Sequence, residues 1–276
     1  MLRIACALIF LGWGWLHLLG DIPFRTIFWD EGLLKGIVEG LSAMTWKEWV
    51  THPGVDRFVQ NLVYTTGIFY CLCCLATIKL NPNSIWLGRL ILAGATGLII
   101  LAFLFFKEKF YHLGQFFEYA IQWGSPILLY LIVRRGWTEQ KILFYLKIAI
   151  ALTFVCHGLY AVGYYPVPGN FLDMVIGIFN VSESTAQTLL TTVGILDFVI
   201  GVLIFLPRRM AVPFLAYAVF WGFATALARV TSYFDADFMI KTVVRWLPET
   251  LLRLAHGVIP LVALIISMKL GQKSSD

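Results

Sequence analysis

Arg3-Ile4-Ala5-Cys6-Ala7-Leu8-Ile9-Phe10, with Gly14 shortly after, returns as Lys147-Ile148-Ala149-Ile150-Ala151-Leu152-Thr153-Phe154, with Gly158 following. From 3 to 147 the offset is 144. Each stretch runs into a loop with the same punctuation: Pro23, Phe28 and Asp30 in the first, Pro166, Phe171 and Asp173 in the second, at an offset of 143 from Pro23 to Pro166. Asn61-Leu62-Val63-Tyr64-Thr65-Thr66-Gly67-Ile68 then reappears as Thr188-Leu189-Leu190-Thr191-Thr192-Val193-Gly194-Ile195, from 61 to 188, an offset of 127. Similarity that persists over so long a span marks two copies of one unit. The copies divide the chain into residues 1–135 and 136–276.

Composition says which solvent these units face. Hydrophobic residues make up 59% of the chain, charged residues 13%, and mean hydropathy is +0.80. A soluble domain carries roughly 25% charge, so this chain has too little to cover its surface against water. Eight apolar runs reach the roughly 20 residues that cross about 30 Å of hydrocarbon. They lie near 2–20, 60–79, 86–106, 114–133, 145–165, 186–206, 211–231 and 247–268. The expected fold is an all-α integral membrane protein, its eight transmembrane helices forming two parallel-repeat four-helix bundles. The first run is read as a span, because Asp21-Ile22-Pro23-Phe24 offers no small-x-small cleavage site and the run matches the interior helix at 145–165.

Lysine and arginine set the orientation. Lys79, Arg89, Arg134, Arg135, Lys141, Lys147, Arg208, Arg209, Lys269 and Lys273 fall at one end of the spans, while the loop at 166–185 has none. The positive-inside rule then places both termini in the cytoplasm, in what is expected to be a bacterial inner membrane. Four spans per copy leave the copies facing the same way. The net charge of +5 belongs to these loops and to anionic lipid. No basic groove, zinc spacing or phosphate-binding glycine motif occurs, so nucleic acid is not an expected partner and no metal site is read.

The loop at 21–58 mixes Trp29, Trp46 and Trp49 with Leu33, Leu34, Ile37 and Val38. That mixture fits short helices at the interface, acting as a cap on the bundle, a lid, or a surface for a membrane or outer-side protein partner. The corresponding loop of the second copy is shorter.

Polar groups inside the spans carry the functional argument, since an ionisable side chain at membrane depth is costly and normally faces the bundle interior. Glu249, Arg253, His256 and Pro260 share one helical stripe of the last span. Gln115, Tyr119, Gln122 and Pro126 occupy the matching positions of the first copy, at an offset of 134 from 115 to 249, without charge. Asp197 stands where the first copy has Tyr70, and His157 where it has Trp13; Arg229 adds a charge near one end of its span. His157, Asp197, Arg229, Glu249, Arg253 and His256 are therefore the candidate ligand-binding or proton-handling residues, with a network that only fixes helix packing as the alternative. Gln115, Glu118 and Gln122, with His17 and His112 nearby, form a weaker second candidate site. The five cysteines include Cys71, Cys73 and Cys74 in one span, a spacing that matches neither zinc nor thioredoxin chemistry. Two intramembrane histidines are weak grounds for haem.

The four-span unit resembles the DoxX-like superfamily of small membrane proteins. The resemblance rests on the Lys147-Ile148-Ala149 helix with His157-Gly158, the Gly163-Tyr164-Tyr165-Pro166 exit, the Phe171-Leu172-Asp173 loop, and Gly194-Ile195-Leu196-Asp197-Phe198. The second copy carries this pattern better than the first. Relatives include subunits of thiosulfate:quinone oxidoreductases, proteins of thiol or oxidative-stress systems, and eukaryotic cargo receptors. The resemblance thus implies a redox-associated subunit, quinone- or thiol-linked, holding a quinone-sized or anionic ligand; it names no cofactor, and quinone is one that it allows. A non-catalytic scaffold, assembly factor or cargo receptor is the alternative, and a small-molecule transporter the third. No residue pattern names a reaction, and no span is read as a broken helix.

Overall fold

The computed structural model describes residues 1–20 and 22–272, without the side chain of Arg208; Asp21 and Lys273 lie outside the described residues. Among the described residues every regular element is helical. In chain order these are α1 (Leu2–Leu19), α2 (Arg25–Phe28), α3 (Glu31–Leu41), α4 (Trp46–Thr51), α5 (Pro53–Lys79), α6 (Ile85–Glu108), α7 (Leu113–Phe117) and α8 (Ala120–Arg135). They are followed by α9 (Glu139–Ala161), α10 (Gly169–Phe179), α11 (Glu183–Leu203), α12 (Arg208–Ser232), α13 (Met239–Arg253) and α14 (Ala255–Gln272). Eight segments are long and apolar enough to cross a membrane: α1, α5, α6, α7 with α8, α9, α11, α12, and α13 with α14. The all-helical, eight-span expectation stands.

Small residues decide which spans touch. A Cβ placed on Gly14 would meet Cys71 Sγ at 2.8 Å and the Gly67 carbonyl at 3.1 Å, so α1 and α5 cross with their backbones in contact. In α9 and α11, Gly158 and Gly194 do the same: a Cβ on Gly158 would sit 2.8 Å from the Gly194 carbonyl. Such close crossings gain dispersion contacts where lipid supplies no hydrophobic drive. Positions 14 and 158, and 67 and 194, are the pairs that the sequence alignment of the copies relates. Beyond these pairs, α1 packs on α13, and α8 on α9, which joins the two halves of the molecule along their first and last spans.

Two spans are interrupted, which the sequence reading did not foresee. The fourth breaks at Glu118–Tyr119 and the eighth at Leu254. Eight and six residues further on, Pro126 and Pro260 sit inside α8 and α14, where a proline ring removes a hydrogen bond and clashes with the carbonyl four residues back. The Ile121 N–H, with no partner in its own helix at the first break, donates to Thr153 Oγ1 of α9 at 3.2 Å. Gln122 N–H turns to the Tyr119 carbonyl at 2.8 Å. At the second break the backbone of α12 at Gly222 presses against the His256 carbonyl, an approach that no side chain would allow. Uncoiled backbone inside a membrane survives only where protein covers it, as here.

The expected interfacial segment is real structure. Asp30 caps α3, and Thr45 with Glu48 forms a capping box on α4. An ion pair from Lys107 to Asp30 and another from Arg25 to Asp56 at 2.8 Å fasten it to the spans, and Trp49 Nε1, donating to the Phe28 carbonyl at 3.0 Å, ties α4 to α2 within it. Leu33, Ile37 and Leu41 remain exposed along α3.

Candidate functional site

A cavity of about 390 Å³ opens among α9, α10, α11, α12 and the break between α13 and α14. Its wall is mostly apolar, with Phe154 from α9, Phe171, Met174 and Phe179 from α10, and Trp221 from α12. Volume and lining are those of a small-molecule pocket. The short α10 is the element that the sequence reading left as a cap or lid; here it supplies one whole side of the wall.

Five of the six candidate residues line this cavity: His157, Asp197, Arg229, Arg253 and His256. Four helices deliver them, since α9 carries His157, α11 Asp197, α12 Arg229, and the α13–α14 break Arg253 and His256. The sixth, Glu249, stands behind Arg229 and accepts from its Nε at 2.7 Å, so that this arginine is neutralised from outside the pocket. His157 and His256 pack ring against ring, centroids 5.6 Å apart. The His256 ring lies between the backbone carbonyls of Arg253 and Glu118; its Nδ1 meets the first at 3.0 Å, while its Nε2 falls short of a hydrogen bond.

Glu118 changes the picture drawn from sequence. Read there as part of a separate, weaker site, it lies in the break of the fourth span with Oε2 3.8 Å from His157 Nε2. Its other oxygen accepts from Gln115 Nε2 at 2.7 Å, and Gln115 Oε1 in turn accepts from Tyr160 OH of α9 at 3.3 Å. Arg253 and Arg229 lie within electrostatic reach of Glu118. The two candidate sites are thus one cluster, built across the two halves of the chain. Gln122 is the exception: it accepts from Trp13 Nε1 at 2.7 Å and stays with α1. His17 is fully buried among Trp13, Phe24 and Tyr70 and does not reach the cluster. His112 stacks on Tyr165 at 4.4 Å, above Tyr160. Tyr160 and Thr153 were missed in the sequence, because a tyrosine or threonine in a span reads as ordinary core.

Charge inside the cluster nearly cancels. Glu118 and Glu249 offset Arg229 and Arg253, leaving Asp197 over. Asp197 is 3% exposed and, among the described residues, has no ion pair and no hydrogen-bond partner at Oδ1. Arg253 Nε is likewise buried without a partner. Burying such atoms unpaired is costly. No group of three metal-binding side chains occurs among the described residues.

Fold and site together define an integral membrane protein of eight spans enclosing a largely apolar pocket with a few buried polar groups. Residues 151–233, which include His157, Asp197, Arg229 and all of α10 and α11, match the DoxX-like family. No curated protein and no solved structure matches the chain.

Proposed function

We propose that the chain is a redox-associated membrane subunit whose DoxX-like half holds a lipophilic molecule of the quinone class in the α9–α12 cavity. The observation that carries this reading is Asp197: a residue in the wall of a largely apolar pocket of ligand size, with a buried carboxyl oxygen that has no hydrogen-bond partner among the described residues. Arg253 Nε supplies a donor to an oxygen of the ligand, and Phe154, Phe171 and Trp221 supply flat apolar contact. His157 with Glu118 is the pair placed to hold or pass a proton beside it. The same reading takes residues 1–135 and 136–276 as two units related by duplication, with both termini in the cytoplasm. The matched glycine crossings and the two interrupted spans at nearly equivalent positions support that division. In the first unit Trp13, Phe105 and Tyr119 pack ring against ring, and Tyr70 stacks on Phe10; the binding role is assigned to the second unit, which holds the cavity.

The test is to purify the chain in mild detergent and analyse the extracted lipids by mass spectrometry. A stoichiometric quinone, lost in Asp197→Ala, is the expected result; bulk phospholipid alone would end the assignment. The exposed apolar face of α3 favours a second reading, a scaffold that meets a partner through residues 21–58. That reading expects a co-purifying protein that disappears when residues 31–50 are deleted.

A further inference from the structure

The polar groups around the cavity are mostly spoken for, and the way they are committed narrows what the pocket accepts. Arg229 is held by Glu249, and the hydroxyls of Thr225 and Thr231 return to carbonyls of their own helix. His157 faces Glu118, and the His256 ring is flanked by two carbonyls. Among the cavity-lining residues, the buried atoms without a hydrogen-bond partner among the described residues are, besides His256 Nε2, a donor, Arg253 Nε, and an acceptor, Asp197 Oδ1, carried by different helices.

These two atoms judge a ligand differently. A ring oxygen accepts from Arg253 whether it is a carbonyl or a hydroxyl, so the arginine does not tell the two apart. Asp197 does. A carboxylate only accepts and so calls for a donor on the ligand; a carboxylic acid adds one O–H donor, which a ring carbonyl can take, but keeps an acceptor oxygen that only a ligand donor satisfies. A quinone presents acceptors alone and leaves that demand unmet. A hydroxyl meets it, through a charge-assisted bond when the carboxyl is ionised. Leaving a buried acceptor unpaired costs enough to change affinity by about tenfold.

We propose that Asp197 is the recognition point for a ligand hydroxyl, so that the cavity prefers a lipophilic phenol or hydroquinone to the corresponding quinone. This rests on the reading that the cavity holds a lipophilic ring, and it adds which form of the ring is held. Because Asp197 sits in α11 and Arg253 at the α13–α14 break, a ring with oxygens at opposite ends fits the arrangement better than one with a single polar edge.

The experiment uses the full chain in detergent, under anoxic conditions, with three probes of nearly equal shape. They are a decyl-substituted 1,4-hydroquinone, its quinone, and its dimethyl ether, each titrated by calorimetry against wild type and Asp197→Leu, which removes both oxygens. The expected result is a hydroquinone bound about tenfold or more tightly than either the quinone or the ether, with the gap to the quinone closed in Asp197→Leu. Should Asp197→Leu not fold, the wild-type comparison of hydroquinone with quinone still decides the matter, since the quinone lacks the donors at almost the same size. Equal binding of all three, or a quinone bound more tightly, overturns the hydroxyl proposal and leaves the quinone-class reading standing. A hydroquinone preference that persists in Asp197→Leu overturns the role of this residue. Binding of none of the three overturns the reading itself, and the proposal with it.

Discussion

Glu118 of the interrupted fourth span lies with Oε2 3.8 Å from Nε2 of His157 in the fifth, which ties the first half of the chain to the pocket of the second. The distance is long for a hydrogen bond and short enough for an ion pair whenever the histidine is charged. An acid at this place also faces Arg253 and Arg229, so it serves two neighbours at once. A lone half of the chain would leave that charge balance open.

Glu118→Gln is therefore expected to destabilise the protein. It keeps the size of the side chain and its contact with Gln115 but removes the charge opposite two buried arginines. Removing one partner of a buried ion pair costs about 3–5 kcal/mol. Glu118 serves a cluster rather than a single tight pair, so the lower end of that range is expected, read as a reduced denaturant midpoint in detergent. Adding Arg253→Gln restores part of the loss, because it removes a charge that the first change stranded. A double variant whose loss equals the sum of the two single losses would show that the two residues are not coupled.

The glycines that set the helix crossings give a sharper contrast. At Gly158 a methyl group would lie 2.8 Å from the Gly194 carbonyl, which belongs to backbone and cannot turn aside. At Gly124 of α8 the nearest atom to such a methyl is Ala149 Cβ, at an ordinary 3.8 Å. Gly158→Ala is expected to cost about 1–3 kcal/mol as an overpacked contact. Gly124→Ala is expected to be neutral or to add up to about 1 kcal/mol by restricting the unfolded chain. Thermal unfolding of the two variants side by side checks the order; equal midpoints would refute it.

Much of this fold could be read from residues alone, because the membrane leaves few choices: runs of apolar residues become spans, and repeated glycines become crossings. Arg3–Phe10 and Lys147–Phe154 thus each marked a span, α1 and α9, without any structure. The site was half legible. His157, Asp197, Arg229, Arg253 and His256 stand out as ionisable groups in apolar surroundings, and they do share a cavity. What escaped was contact between elements distant in sequence. Nothing local says that Glu118 turns toward α9 rather than toward its own half, nor that α10 folds in to wall the pocket. The breaks at Glu118–Tyr119 and Leu254 escaped for a similar reason. Proline at 126 and 260 signals a kink, but its place depends on which neighbour satisfies the freed backbone.

Thr153 is that neighbour in the fourth span. Its hydroxyl accepts the Ile121 N–H at 3.2 Å, and both groups are buried. Thr153→Ala or Thr153→Val leaves the N–H without an acceptor, at a cost of about 1–3 kcal/mol. Thr153→Ser keeps the oxygen and is expected to retain most of the stability. Amide exchange at Ile121 separates the cases: protected in wild type and serine, open in alanine and valine. Unchanged protection in Thr153→Val would mean that the break is held by something else.

The interfacial segment carries its own pH dependence. Lys107 beside Asp30, together with the Leu33 N–H that caps onto it, holds the Asp30 carboxyl below its usual 3.8. A carboxyl whose value falls on folding contributes stability that is complete above its unfolded value and disappears as pH drops through the folded one. The docking of α3 onto the end of α6 is accordingly expected to be constant from neutral pH down to about 4, and to loosen only below 3.8. Lys107→Met removes the cation and raises the pH at which the segment releases, moving it back to the ordinary carboxylate range. Limited proteolysis within residues 31–51, followed against pH in detergent, reads this directly. Cleavage of wild type that already rises near pH 6 would show that histidine or another group, and not Asp30, fastens the segment.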